Sequence, residues 1–121
     1  MKYALLIYES AADFDSRTNP NKAAFWGAWT AYAEALRGAG VMAGGSGLEL
    51  PATGTTIRRR DGERTVQDGP YAETKEQLGG FFLIDVPDLD AAMEWAARCP
   101  VTDGAVEVRP LLAGHLTKPS P

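Results

Sequence analysis

Two short runs dictate most of what this chain can fold into. Tyr3–Tyr8 (YALLIY) and Gly80–Val86 (GFFLIDV) are rich in strand formers and too short for stable helices. A half-exposed strand alternates apolar with polar, and these do not. Tyr3, Leu5 and Ile7 alternate with Ala4, Leu6 and Tyr8, and Phe81 and Leu83 alternate with Phe82 and Ile84, so both faces of each strand are apolar. A sheet built around such strands has to be covered on two sides.

The rest of the chain supplies cover for one side. Asn19-Pro20 reads as an N-cap followed by proline at the first helical position. Phe25, Trp29, Tyr32, Ala33 and Leu36 then form an apolar stripe, and Gly38 and Gly40 end the helix. Asp88 caps a second helix in which Leu89, Ala92, Met93 and Ala96 share a face, and Pro100 stops it. The segment before the first helix, ESAADFDSRTN, reads as a polar loop. Val41–Ala43 starts a short strand, with Gly44, Gly45 and Gly47 as a bend or bulge. Asp61-Gly62 is a two-residue hairpin turn that sets Arg60 opposite Glu63, Arg59 opposite Arg64, and Ile57 opposite Val66. AVEVRPL is a last strand. Residues 1–113 form the domain and 114–121 read as a frayed tail. The order strand, helix, strand, inserted hairpin, strand, helix, strand gives a ferredoxin-like α+β domain of two βαβ halves. Its helices cover one sheet face, and a homodimer is expected to cover the other.

A chain of 121 residues is one domain, and its charge narrows its partners. The formal net charge is -4, which opposes phosphate binding and excludes a nucleic-acid surface. MKYALLIYES carries Glu9 where a secretory leader would stay apolar, and no run approaches the ~20 apolar residues of a membrane helix. Cys99 is the only cysteine, so no internal disulfide forms, and a cytoplasmic location is expected. A small molecule or another protein is the expected partner.

Several residues with reactive side chains read as structural. Cys99 ends a helix, where the dipole disfavours a thiolate. His115 is the only histidine and falls in the tail, so neither a metal cluster nor a histidine-based triad is expected. No cofactor is expected either. The glycines of GGSGLEL precede a strand-like segment rather than the helix a phosphate loop feeds. Trp26, Trp29 and Trp95 are assigned mostly to packing. Arg59 and Arg64, facing each other, need a carboxylate or an anionic ligand between them unless they splay into water.

The segment Asp68–Gly80, DGPYAETKEQLGG, concentrates the remaining chemistry. Gly69-Pro70 forces a bend that aims Asp68 and Tyr71. Asp68 or Glu73, partly buried beside a tyrosine, would have a raised pKa suited to acid or base work. The alternative is a structural corner whose charges pair with one another or with a partner subunit. Gly79-Gly80 permits close backbone approach ahead of the buried strand.

TVQDGPYAETKEQLGGFFLID, followed by DLDAAMEWAARCP and VEVRPL, resembles the DGPF family within the YCII-related superfamily over nearly the whole chain, with Tyr71 where the family name has phenylalanine. The resemblance implies a dimeric ferredoxin-like α+β barrel with a cleft beside the sheet. The wider group's His–Asp pair lies near the start of the first helix and the end of the second. This chain has Asn21, Lys22 and Ala23 in the one region and Cys99-Pro100 in the other, so that mechanism does not transfer. The expectation is a homodimer binding a small polar or anionic molecule in a cleft formed partly by Asp68–Glu76. Asp68 or Glu73 would carry a proton in a cofactor-free elimination or isomerisation, Tyr71 would donate a hydrogen bond, and Lys75, Arg59 and Arg64 would hold an anion. Relatives linked to extracytoplasmic-function sigma factors imply the alternative of a regulatory module with a transcription factor as partner. A third alternative is a motif that only builds the dimer.

Overall fold

Lys2–Ser10 forms β1, one of the two inner strands of a four-stranded antiparallel sheet in a computed structural model that describes residues 1–113. Around it stand β2 (Met42–Gly47), β5 (Glu76–Asp85) and β6 (Gly104–Pro110), in the order β2-β5-β1-β6. The helices are α1 (Ala11–Asp15), α2 (Lys22–Gly38) and α3 (Leu89–Ala97). This mixed α+β architecture is consistent with the expected ferredoxin-like arrangement. β3 (Thr55–Arg60) and β4 (Glu63–Asp68) form a separate two-stranded sheet, an arm inserted between β2 and β5.

Alternation along β1 decides where the core lies. Tyr3, Leu5 and Ile7 are buried beneath the helices, while Ala4, Leu6 and Tyr8 point to the other face and are only half-buried. Leu5, Ile84 and Leu36 of α2 are fully buried, and with Tyr3, Val86, Tyr32 and Ala92 they make up the core. Tyr32 is fixed within it by a hydrogen bond from its hydroxyl to the Trp95 carbonyl at 2.7 Å and by the edge of Phe82. The opposite face, with Leu6, Phe81 and Leu83, has no helix over it among the described residues.

Local sequence chemistry explains the arm. Asp61 and Gly62 adopt φ of 51° and 81°, the left-handed pair that a tight hairpin requires. The observed register pairs Arg60 with Glu63, Arg59 with Arg64 and Ile57 with Val66, as the sequence predicts. At the base, Gly69 N–H donates to the Gly54 carbonyl at 2.7 Å and Arg58 donates to the Tyr71 carbonyl at 2.7 Å.

Four expectations need correction. β1 runs on to Ser10, whose hydroxyl accepts from Asp13 N–H and starts α1 inside the segment read as a loop. α2 starts at Lys22 rather than Pro20, because Asn19 uses its side-chain oxygen on Asn21 N–H at 2.8 Å, closing a turn instead of capping a helix. β5 begins at Glu76, four residues before the apolar run, because Glu76–Leu78 pair with Tyr8–Ser10. α3 buries Ala92 with Ala91, Trp95 and Ala96 against the core, and Leu89 and Met93 face solvent. Alanines let a helix approach a sheet more closely than a leucine and methionine row would. β2 does carry a bulge, but its extra residue is Ala43, which the register skips between Met42 and Gly44, while Gly44, Gly45 and Gly47 stay in the strand and pair with β5. The tail, with His115, lies outside the described residues.

Candidate functional site

The inward row of β1 does not end at Ile7. Glu9 continues it, only 3% exposed, so this fold puts a carboxylate where the alternation calls for an apolar side chain. A charge in that position needs a partner, and the turn after α1 provides Arg17. The guanidinium Nη2 lies 3.5 Å from Glu9 Oε1 and donates to the Gly79 carbonyl at 3.1 Å, while Nη1 donates to the Leu48 carbonyl. Phe14 and Trp26 flank it, with the guanidinium carbon 4.9 and 5.7 Å from their ring centres. The Trp26 indole N–H in turn donates to the Arg17 carbonyl at 3.0 Å. Glu9 Oε2 and Arg17 Nε are buried without a hydrogen-bond partner among the described residues.

Gly79 makes this arrangement possible. Between Ile7 and Tyr8 the β1–β5 register skips Gly79, which is therefore the extra residue of a bulge. Its freed carbonyl accepts from both Arg17 and Leu48 N–H, the latter at 2.9 Å. Where a side chain would stand, the Glu9 carboxylate passes. The close approach foreseen at Gly79-Gly80 is present, and its object is Glu9.

The pair closes the inner end of a cleft of about 420 Å³ between α2 and the edge of the sheet. α2 contributes Phe25, Trp26, Trp29, Thr30, Ala33 and Arg37, and the facing side is the nearly bare backbone of Gly44–Gly47 with Gly79 and Phe82. That volume falls within the range of small-molecule sites, about 300–1,000 Å³. Among the described residues no cluster of three or more histidine, cysteine or acidic side chains could hold a metal ion.

Burial pushes the Glu9 carboxyl up from its ordinary value; Arg17 opposes that and the neighbouring Asp13 charge adds to it. A carboxyl raised this way, beside a guanidinium and aromatic walls, is suited to giving or taking a proton. It also couples to stability. Because folding raises its pKa, folding favours the protonated form, so the contribution is complete below the ordinary value of 4.5 and is lost as pH rises through the folded value. The melting temperature of the wild type should therefore fall, relative to Glu9→Gln, as pH is raised from 4.5 through the folded value. Parallel thermal melts of the two proteins across that window check the sign, and a constant difference would show that Glu9 titrates normally.

The residues singled out in the sequence lie elsewhere. Asp68 ends β4 and is exposed, as are Glu73 and Lys75. Tyr71 is 69% exposed, with the Arg58 guanidinium 4.7 Å above its ring. Arg59 and Arg64 stand opposite each other, both exposed. The structure brings together Arg59 with Arg64 and Tyr71 with Arg58. It places none of Asp68, Tyr71, Glu73, Lys75, Arg59 or Arg64 on the cleft wall, which the segment reaches only through Gly79 and Gly80. Trp29 and Trp95 pack against the core as expected, but Trp26 and Trp29 also line the cleft. Cys99 borders a second hollow of about 310 Å³, where burial pushes its thiol up to about 11, away from nucleophilic use.

A family model described as the YCII-related domain matches residues 1–113. The chain belongs to the YCII-related family. Among curated proteins it is 48% identical over 66 residues to an uncharacterised protein of Rhizobium meliloti (strain 1021), a match covering 51% of this chain and 53% of that one. The YCII-related chain thus spans about half the length of this relative in the match. No helix among its described residues is long and apolar enough to cross a membrane. In the two regions where the resemblance implies a histidine and an aspartate, this YCII-related protein has exposed Asn21 and the half-buried Cys99. The buried acid that lines its cleft, Glu9, comes from β1 instead.

Proposed function

We propose that this YCII-related protein, of the DGPF branch by its Asp68–Gly80 motif, is a homodimer in which each chain binds a small molecule in the cleft beneath α2. The observation that carries the proposal is the cleft itself: aromatic walls, a glycine floor, and a buried Glu9–Arg17 pair at its inner end. Pockets that hold small ligands combine mainly apolar walls with a few placed polar groups, and this one does so. Glu9 takes the proton-carrier role that the sequence suggested for Asp68 or Glu73. Dimerisation is supported by the uncovered face of Leu6, Phe81 and Leu83 and by the arm, where Ile57 and Val66 form a cross-strand apolar pair, 58% and 64% exposed.

Gly47 supplies the test. It lines the cleft, a Cβ built on it meets nothing within 4 Å, and its φ is one that other residues adopt. Gly47→Leu should therefore fill the cleft and leave the fold intact. In a thermal-shift screen of metabolites, compounds that raise the wild-type melting temperature should lose their effect on Gly47→Leu and keep it on Asp68→Asn. A ligand that shifts Gly47→Leu as much as the wild type, or that needs Asp68, removes the cleft from consideration.

A further inference from the structure

The distribution of charge along the cleft narrows what it holds. Glu9 and Arg17 already face each other at the inner end, so together they present little net charge to a ligand. Arg37 is different. It lines the cleft from the last turn of α2, is exposed, and its guanidinium has no ion-pair or hydrogen-bond partner among the described residues. The uncommitted charge on the wall is therefore positive. A helix C-terminus ordinarily repels anions through its bare carbonyls. Here Ala39, Gly40 and Val41 donate their N–H groups to the carbonyls of Ala35, Arg37 and Leu36, which quiets that end of the helix.

Spacing along α2 adds the second constraint. Trp26 and Trp29 lie in the first half of the helix and Arg37 eight residues beyond Trp29, about 12 Å along the axis at ~1.5 Å per residue. Helical side chains lean toward the N-terminus, so the guanidinium reaches back over part of that distance. Opposite them, the Gly44–Gly47 backbone offers a floor without bulky side chains. Aromatic walls beside a floor without bulky side chains favour a planar ring system, and a group on a short tether would then reach toward Arg37.

We infer that the ligand is an aryl acid: a flat apolar ring body carrying a carboxylate or phosphate on a short chain, read by Arg37. This rests on the cleft being the ligand site, and it adds the chemical class of the occupant. A charge-assisted hydrogen bond to a guanidinium separates such an acid from its neutral amide.

Isothermal titration calorimetry with naphthylacetate, naphthylacetamide and naphthylethylamine tests the assignment on the full chain at neutral pH. Naphthylacetate should bind about tenfold more tightly than the amide, and the amine most weakly. Arg37→Gln should reduce the acid to the affinity of the amide without changing the melting temperature of the free protein, and Gly47→Leu should abolish binding of both. Equal binding of acid and amide to the wild type, tightest binding of the amine, an acid preference that survives Arg37→Gln, or no binding of any naphthyl probe would each overturn the aryl-acid class. Amide binding that depends on Gly47 but shows no acid preference overturns only that class and leaves the cleft as the site. Binding indifferent to Gly47→Leu overturns both.

Discussion

Gly79→Ala is expected to destabilise the chain by about 3 kcal/mol or more, among the largest effects of any single methyl group added to this protein. The new Cβ would collide with Glu9 Oε1 and stand 3.3 Å from the Phe14 ring. Glu9 has nowhere to go. It is 3% exposed, and swinging it away would separate it from Arg17 and leave a buried charge unpaired, which costs more than the pair itself gains. The clash is with a side chain, so it should be relieved by removing that side chain. In a Glu9→Ala background, Gly79→Ala should add less than about 1 kcal/mol, a coupling of roughly 2 kcal/mol between the two sites. Gly104 gives the contrast: a Cβ there would strike the Tyr8 backbone carbonyl, and no side-chain deletion can make room for it. Urea unfolding of the four proteins in the Gly79–Glu9 cycle measures the coupling, and additive effects would mean that the contact is not what constrains Gly79.

The same contact shows how far the sequence can be read. The double glycine was visible as a place of close approach, because a pair of glycines before an apolar strand has few other purposes. Its partner lies 70 residues earlier in the chain. Glu9 could have been found from β1 alone, since it shares the parity of Tyr3, Leu5 and Ile7 and an inward carboxylate is costly enough to need a reason. Arg17 could not, because nothing local ties a turn residue to that row. Interactions within one hairpin were legible down to the pairing of Ile57 with Val66, since turn type and register are set together. The cleft was not. Gly44–Gly47 looks like a bend until it is known to be an edge strand lying across from Trp26 and Trp29, and that juxtaposition belongs to the assembled domain. The charged residues of Asp68–Lys75 are dense in sequence, and density along the chain does not place side chains in a common cavity.

The face opposite the helices leads to the other large effect. Leu6 sits at its centre, paired with Phe81 on β5 and with Glu107 on β6. In a single chain Leu6 is half-buried, so a carboxylate there keeps its water and the domain should still fold. In the proposed dimer the same carboxylate would be enclosed against the partner's apolar side chains, beside the carboxylate of Glu107 and with the nearest cation on that face, Arg109, already paired to Glu107. Burying it costs about 4 kcal/mol, which weakens association by about a thousandfold. Light scattering should therefore find the wild type at twice the 13.0 kDa chain mass and Leu6→Asp at the chain mass itself, with unchanged far-ultraviolet circular dichroism. Ile57→Asp on the arm separates two ways of pairing. If the arms embrace the second chain, it should weaken the dimer as Leu6→Asp does, and if the sheet faces alone meet, it should leave the dimer intact. A wild type that stays at the chain mass at tens of micromolar would sink the dimer, and the apolar face would then need a different cover.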